Sequence, residues 1–168
     1  KHQLSIINKI YGTDTPTQKI EDVKFDLRLP REFESVLNVP TTFTPVYKHV
    51  LKYLRNRDIT KEDIIKNNIG YCATGIYRGR VIIPSYDKDG ILNYFIARTI
   101  FDNEENKYKN PPVSKNIIAL ENQINWNEPI TLVEGIYDAV AIKRNAIPIF
   151  GKFIPKKLMK KIFEMKVK

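Results

Sequence analysis

The stretch that most restricts the fold of this chain is Ile130-Thr131-Leu132-Val133-Glu134-Gly135-Ile136-Tyr137-Asp138-Ala139-Val140-Ala141-Ile142. It opens as a short apolar run, reaches an acid and a glycine, and continues with helical spacing. That order predicts a strand, a tight turn and a helix, with Glu134 at the strand's carboxyl end, where α/β folds place ligands. Asp138 follows one helical turn later, so both carboxylates can face one point. Such a pair holds a divalent metal or moves a proton. The same acids are also favoured near a helix amino terminus by about 0.3–1 kcal/mol whatever their function. The stretch alone leaves both readings open.

Beyond it, Ala146-Ile147-Pro148-Ile149-Phe150-Gly151 reads as a second strand. Pro155 then starts a helix with an apolar face of Leu158, Met159, Ile162 and Phe163, and with Lys156, Lys157, Lys160 and Lys161 on its other positions. The order strand, helix, strand, helix predicts a parallel sheet with right-handed crossovers. Lys166-Val167-Lys168 would open a third strand.

Upstream, Thr44 can cap and Pro45 suits a first helical turn, and Val46, Val50, Leu51 and Leu54 make an apolar stripe to about Asn56. Thr60 and Asp63 have capping-box spacing, and Ile64 and Ile65 before a stop at Gly70 predict a second, shorter helix. Arg80–Tyr86 and Leu92–Phe101 flank Asp87-Lys88-Asp89-Gly90, which predicts a β-hairpin, with Pro84 marking an edge or a bulge. Asp87 and Asp89 are turn residues here, because the further oxygen ligands of a calcium loop are missing. Asn103–Asn116 is a polar loop, Ile117–Leu120 a short strand or turn, and Asn125–Pro129 a linker. The first residues hold an apolar start at Leu4, Ile6, Ile7 and Ile10, read as a short helix followed by a tether.

Composition narrows the partner. A formal charge of +9 and a pI near 9.5 favour an anionic partner, nucleic acid above others, and no apolar run is long enough to span a membrane. One Trp, nine Tyr and eight Phe argue against a disordered basic tail; they allow base stacking and equally a core. The single cysteine, Cys72, can form neither an internal disulfide nor a zinc cluster, which fits a cytoplasmic protein and a small buried side chain. His2 and His49 lack ligand-like spacing and read as surface or helix residues. The chain opens at Lys1 without a signal peptide, and is expected to be part of something longer.

Taken together, these motifs resemble the DNA primases of bacteria and tailed phages, the DnaG-like class with a toprim catalytic fold. Leu132–Asp138 is similar to the first toprim signature, a strand ending in Glu-Gly with an Asp in the next helix. Tyr53–Thr60 through Ile69-Gly70-Tyr71 resembles the helical segment before the primase sheet, and Tyr77–Pro84, Asp87–Gly90 and Arg98 resemble its hairpin. Lys107-Tyr108-Lys109-Asn110-Pro111 is similar to the family's Lys-Tyr-x-Asn loop, with Lys115 near the lysine that follows it. The resemblance runs from about Thr44 to Lys168.

It implies an α+β amino-terminal subdomain of helices and antiparallel sheet, followed by a partial α/β toprim fold with a parallel sheet. The implied divisions are a segment or tether over 1–43, a basic subdomain over 44–128 and the partial toprim fold over 129–168. The implied activity is a nucleotidyltransferase making short RNA primers on single-stranded DNA for replication. Glu134 would be the catalytic residue, as a metal ligand or a base near the metals, and Asp138 would support the shell of Mg2+ or Mn2+ in a two-metal site or orient a basic neighbour, with Gly135 as the structural turn beneath the phosphates. Arg80, Arg98, Lys107 and Lys115 would bind template, primer and nucleoside triphosphates, and a replicative helicase is the expected partner protein. The family's Asp-x-Asp strand and zinc module have no counterpart in the sequence, so the chain is expected to be an internal fragment, inactive alone. The alternatives are a non-catalytic module that binds single-stranded nucleic acid, and a toprim nuclease or topoisomerase.

Overall fold

The structure, a computed structural model, describes residues 27–165. The helix expected near Leu4–Ile10 and the strand expected at Lys166–Lys168 lie outside the described residues. Four strands form an antiparallel sheet: β1 (Phe33–Ser35), β2 (Gly70–Cys72), β3 (Arg80–Tyr86) and β4 (Leu92–Thr99), in spatial order β1-β2-β3-β4. Between β1 and β2 the chain forms α1 (Pro45–Arg55) and α2 (Lys61–Lys66). A 3-10 turn at Glu121–Gln123 leads to β5 (Thr131–Val133), α3 (Ile136–Ile142), β6 (Ala146–Pro148) and α4 (Lys156–Met165), with β5 and β6 parallel.

The helix starts follow their caps. Thr44 Oγ1 accepts from Tyr47 N–H at 3.2 Å, with Pro45 in the first turn. Thr60 and Asp63 exchange the two bonds of a capping box, at 2.9 and 3.3 Å. The second helix ends before Gly70, however: Asn67 caps it and Asn68 takes the left-handed turn at φ 48°. Gly70 has a different task in β2, where any Cβ would lie 2.3 Å from the Phe33 ring and 2.5 Å from the Glu34 carbonyl.

Alternation along the hairpin divides the core in two. Val81, Ile83, Tyr94 and Ile96 face α1 through Tyr47, Val50 and Leu54, and α3 packs on that same face through Ile136 and Ala139. Ile82, Phe95 and Ala97 face the other way, against Cys72 and Tyr77, with Leu27, Leu29 and Phe33 alongside. Phe33–Ser35 and the buried Val36 were expected to be tether; they are the edge strand of the sheet and part of its core. Three residues are too few to show an alternation in sequence.

In the hairpin turn, Asp87 Oδ1 accepts from Asp89 and Ile91 N–H, both at 2.9 Å, and Gly90 supplies φ 77°. The irregularity in the ladder falls at Ser85/Tyr86, one residue past Pro84. Pro84 sits beyond the last β2 pairing at Ile82, where that side of β3 is open.

A third cluster joins Ile118, Ile147 and Leu158, with Trp126, Leu132 and Ile162 packed against it. It corrects the expected face of α4. Leu158 is fully buried and Ile162 half-buried, whereas Phe163 is 74% and Met159 37% exposed. Among the described residues, no helix is long and apolar enough to cross a membrane.

Candidate nucleic-acid and metal site

Glu134 directly follows β5 on the surface, and Asp138 lies in the first turn of α3, also exposed. The Asp138 carboxylate reaches back to the Gly135 N–H at 3.1 Å, satisfying one of the free donors of the helix start. Gly135 itself has φ −121°, which any residue adopts, so its role as a sharp turn is not what the backbone uses. A Cβ there would stand 3.2 Å from Asp138 Oδ2. The glycine makes room for the carboxylate.

The loop after β6 runs on beside the acid: Ile149 N–H donates to Val133 O at 2.9 Å and Phe150 N–H to Glu134 O at 3.0 Å. Phe150 holds φ 53°, unusual for a residue with a side chain, and its ring packs on Tyr94 at 5.2 Å. Its carbonyl accepts from Lys115 Nζ at 3.2 Å. Glu134, Asp138, Lys115, Tyr108, Asn110 and Phe150 thereby line one cavity of about 370 Å3. Its donor set, two exposed carboxylates, suits a hard cation such as Mg2+ that keeps several waters and shares its ligands with phosphate. Among the described residues no third acid, histidine or cysteine joins them.

The Lys-Tyr-x-Asn loop is fixed to the sheet as an added ribbon. Thr99 N–H donates to Lys107 O at 3.0 Å, Lys109 N–H to Ala97 O at 2.9 Å, and Asn110 Oδ1 accepts from Ala97 N–H at 3.2 Å. Tyr108 therefore pairs with Arg98, whose guanidinium donates to the phenol oxygen and lies 4.8 Å from the ring. Burial works against the Arg98 charge, but the facing Tyr53 and the bond to Tyr108 outweigh it and raise the pKa. Lys107 is exposed on the same ribbon but does not line the cavity.

Arg80 departs from its expected role. It is 3% exposed, and its guanidinium donates to Glu104, to Asn106 O at 3.0 Å and to Lys107 O at 3.3 Å. Those bonds use the fork to tie β3 to the polar loop and leave it facing no ligand. Sequence shows a basic residue at the head of a strand; it does not show that the strand is interior.

Arg57 is the residue that sequence reasoning passed over. It lies just past α1, half-buried, with Tyr53 and Tyr137 rings 4.9 and 4.6 Å from its guanidinium carbon. Among the described residues nothing accepts a hydrogen bond from its guanidinium, and Arg57 lines a second, larger cavity of about 840 Å3 that meets the first at Tyr137 and Asp138. The phenol oxygens of Tyr53 and Tyr137 are buried there without hydrogen-bond partners among the described residues. Burial, then the neighbouring Tyr53, pushes the Tyr137 pKa well above the ordinary value. Nothing local distinguishes Arg57 from the exposed Arg55; only the spatial meeting of Tyr53 with Tyr137 does.

The remaining titratable candidates are structural. Cys72 is fully buried, and burial followed by Glu32 and Glu34 pushes its thiol up to about 12. His49 is exposed on α1, 2.7 Å from Pro45 O and packed beside Phe101. His2 lies outside the described residues.

No family model matches the chain, and no curated protein matches it significantly. Solved structures do. The DnaG primase catalytic domain bound to ssDNA superposes with a TM-score of 0.62 at 23% identity, over 73% of this chain and 52% of that one. The primase catalytic core of E. coli gives 0.61 at 22% identity, over 73% and 54%. A DNA primase domain from Pseudomonas aeruginosa gives 0.62 at 20% identity, over 79% and 55%. The chain has the fold of these catalytic domains and spans about half their length.

Proposed function

We propose that this chain is the part of a DNA primase that carries the basic subdomain and the first acidic motif of a toprim fold. The observation that carries the reading is one cavity in which the strand-end Glu134 and the helix-start Asp138 meet Lys115, Tyr108 and Asn110. Around it stand Arg98, pinned by Tyr108, and Arg57, pinned by two tyrosine rings. The likeness in fold to a primase domain bound to ssDNA supports the same reading.

Glu134 and Asp138 would hold Mg2+ or Mn2+, which when bound supplies charge neutralisation for the triphosphate and activation of the primer hydroxyl. Lys115 and Arg57 present fixed positive charge on either side of the acids and orient phosphates. Arg98 and the exposed Lys107 extend that charge along the β4 edge toward a single-stranded DNA template. The products would be short RNA primers made from nucleoside triphosphates, and a replicative helicase would be the partner that delivers the strand.

The test is Glu134→Gln in the complete protein, assayed with single-stranded DNA, nucleoside triphosphates and magnesium. Primer synthesis is expected to disappear while binding to the DNA persists. Undiminished synthesis would overturn the assignment of Glu134, and DNA scission in place of ribonucleotide incorporation would favour a toprim nuclease.

A further inference from the structure

The primase reading accounts for the strand at the Glu134 cavity and leaves α4 unused. On that helix Lys160 has an i,i+4 partner in Glu164 at 3.7 Å, and the remaining lysines outnumber the acids. Residues 149–165 hold five lysines and a single acid, Glu164. Lys156 with Lys160, and Lys157 with Lys161, are like charges one helical turn apart, which destabilise a helix. The inward face is already accounted for by Leu158 and Ile162. At helical spacing, Lys156, Lys160 and Phe163 share the opposite face. Both lysines are exposed and Phe163 is 74% exposed, and Phe153, in the turn before the helix, is 80% exposed.

This face is joined to the cavity by bonds. Asn116 Oδ1 accepts from the Lys157 N–H at 3.0 Å at the start of α4. Its neighbour Lys115 donates to Phe150 O, and Phe150 and Gly151 line the Glu134 cavity. Lys152, the next residue, is exposed. Positive charge therefore continues from Lys115 past Lys152 to Lys156 and Lys160.

We propose that this outer face of α4 is a second contact surface for single-stranded nucleic acid, extending the path of the strand beyond the Glu134 cavity. The lysines match a phosphate backbone, and the two exposed phenylalanines offer faces on which unstacked bases can lie. Paired bases have no free face to give them, so a single strand is the occupant. The proposal rests on the primase reading for the first part of the path and on α4 for its continuation.

The experiment measures fluorescence anisotropy of labelled oligo(dT) with this chain across a series of salt concentrations. Strands of about 8 and about 24 nucleotides are compared, bracketing the ~4–16 nucleotides that one single-strand-binding fold covers. The double variant Lys156→Gln/Lys160→Gln should weaken binding of the long strand and leave the short one unchanged. Its salt slope on the long strand should flatten by about 1.4, from ~0.7 for each phosphate that is no longer neutralised. Phe163→Ala should weaken the long strand several-fold with the slope intact. All three positions are exposed, and unchanged thermal melting confirms that the variants fold. If Lys115→Ala weakens binding while the α4 variants match the unsubstituted chain on both lengths, the α4 surface is overturned and the cavity reading stands. Loss of binding to anionic lipid vesicles, with oligonucleotide binding unchanged, also overturns it. No binding of either strand by the unsubstituted chain overturns both.

Discussion

The antiparallel sheet and the parallel pair solve the same problem of burial in different ways. In β3 six of seven residues are buried, and its two faces each have a core cluster of their own. In β5 no residue is buried, and among the described residues β5 pairs only with β6, over three positions. The parallel unit divides its burial: Ile136, Ala139 and Ala146 belong to the same cluster as α1 and the hairpin, whereas Ile147 and Leu158 form the third cluster with Ile118. The acids sit at the rim of the unit that shares part of the hairpin's core, and Arg98 and Lys115 beside them come from outside that unit. Such a division leaves the carboxylates exposed to a ligand, near Arg98, which β4 and Tyr108 hold in place.

The sharpest way to break this contrast is to cut one side chain from each region. Phe95 is 2% exposed on a strand paired along its whole length, and Phe95→Ala is expected to cost about 3–5 kcal/mol. Leu132, half-buried in β5 at the edge of the third cluster, should cost less, about 2 kcal/mol when cut to Ala, since part of its surface already meets water. Urea unfolding at constant slope measures both. Equal losses would mean that the parallel unit carries its own share of the stability.

Arg80 sharpens the same contrast from the polar side. Arg80→Gln leaves Glu104 and two loop carbonyls short of a donor, and removing one partner of a fully buried pair costs ~3–5 kcal/mol. The Glu104 side chain is 39% exposed, so water screens it and about 2 kcal/mol is the expected loss. The salt slope of oligo(dT) binding by the folded variant should match that of the unsubstituted chain. A flattened slope would return Arg80 to the nucleic-acid surface.

Much of this was legible in the sequence where one local rule decides the outcome. The Thr44 and Thr60 caps, the Asp87–Gly90 turn and the strand, turn and helix around Glu134 each depend on neighbours within a few residues. What escaped depends on the partner. β1 and β2 have three residues each and exist because β3 pairs with them through β2. Arg80 looks like any cation until its strand is seen to be interior. Phe163 falls at the spacing of a core residue, yet α4 rolls so that Leu158 and Ile162 reach the third cluster instead. In the candidate site, Glu134, Asp138, Arg98 and Lys115 could be picked from motifs, but Arg57 could not, because its pairing joins residues 53 and 137 across the sequence.

The joint between the regions can be tested by pH. Asp63 is 6% exposed, caps α2, and lies 3.4 Å from Lys143, just past α3. Burial raises its pKa, but the Thr60 N–H and hydroxyl and then Lys143 outweigh it, and the net shift is downward. A lowered folded pKa means that the unfolded chain binds more protons near pH 4, so this contribution is complete above the unfolded value of about 3.9. It is lost as pH falls through the folded value. Asp63→Asn should cost about 1 kcal/mol at neutral pH, and its unfolding free energy should fall less steeply than that of the unsubstituted chain below pH ~4. Parallel curves would remove Asp63 from the joint.

The smallest expected effect belongs to Gly135. If the backbone there needed glycine, Ala would meet the strain of a left-handed conformation and lose well over 1 kcal/mol. With φ −121° it meets none, and only Asp138 Oδ2, 3.2 Å from the new methyl, has to give way by a few tenths of an ångström. Gly135→Ala is therefore expected to change stability by no more than about 0.5 kcal/mol, with the displaced Asp138 carboxylate set against reduced freedom of the unfolded chain. Its effect should appear in the carboxylate instead. The amide resonance of residue 135, which reports the 3.1 Å bond to Asp138, should shift. A stability loss of several kcal/mol would show that the parallel unit is held by its turn rather than by the two clusters it packs into.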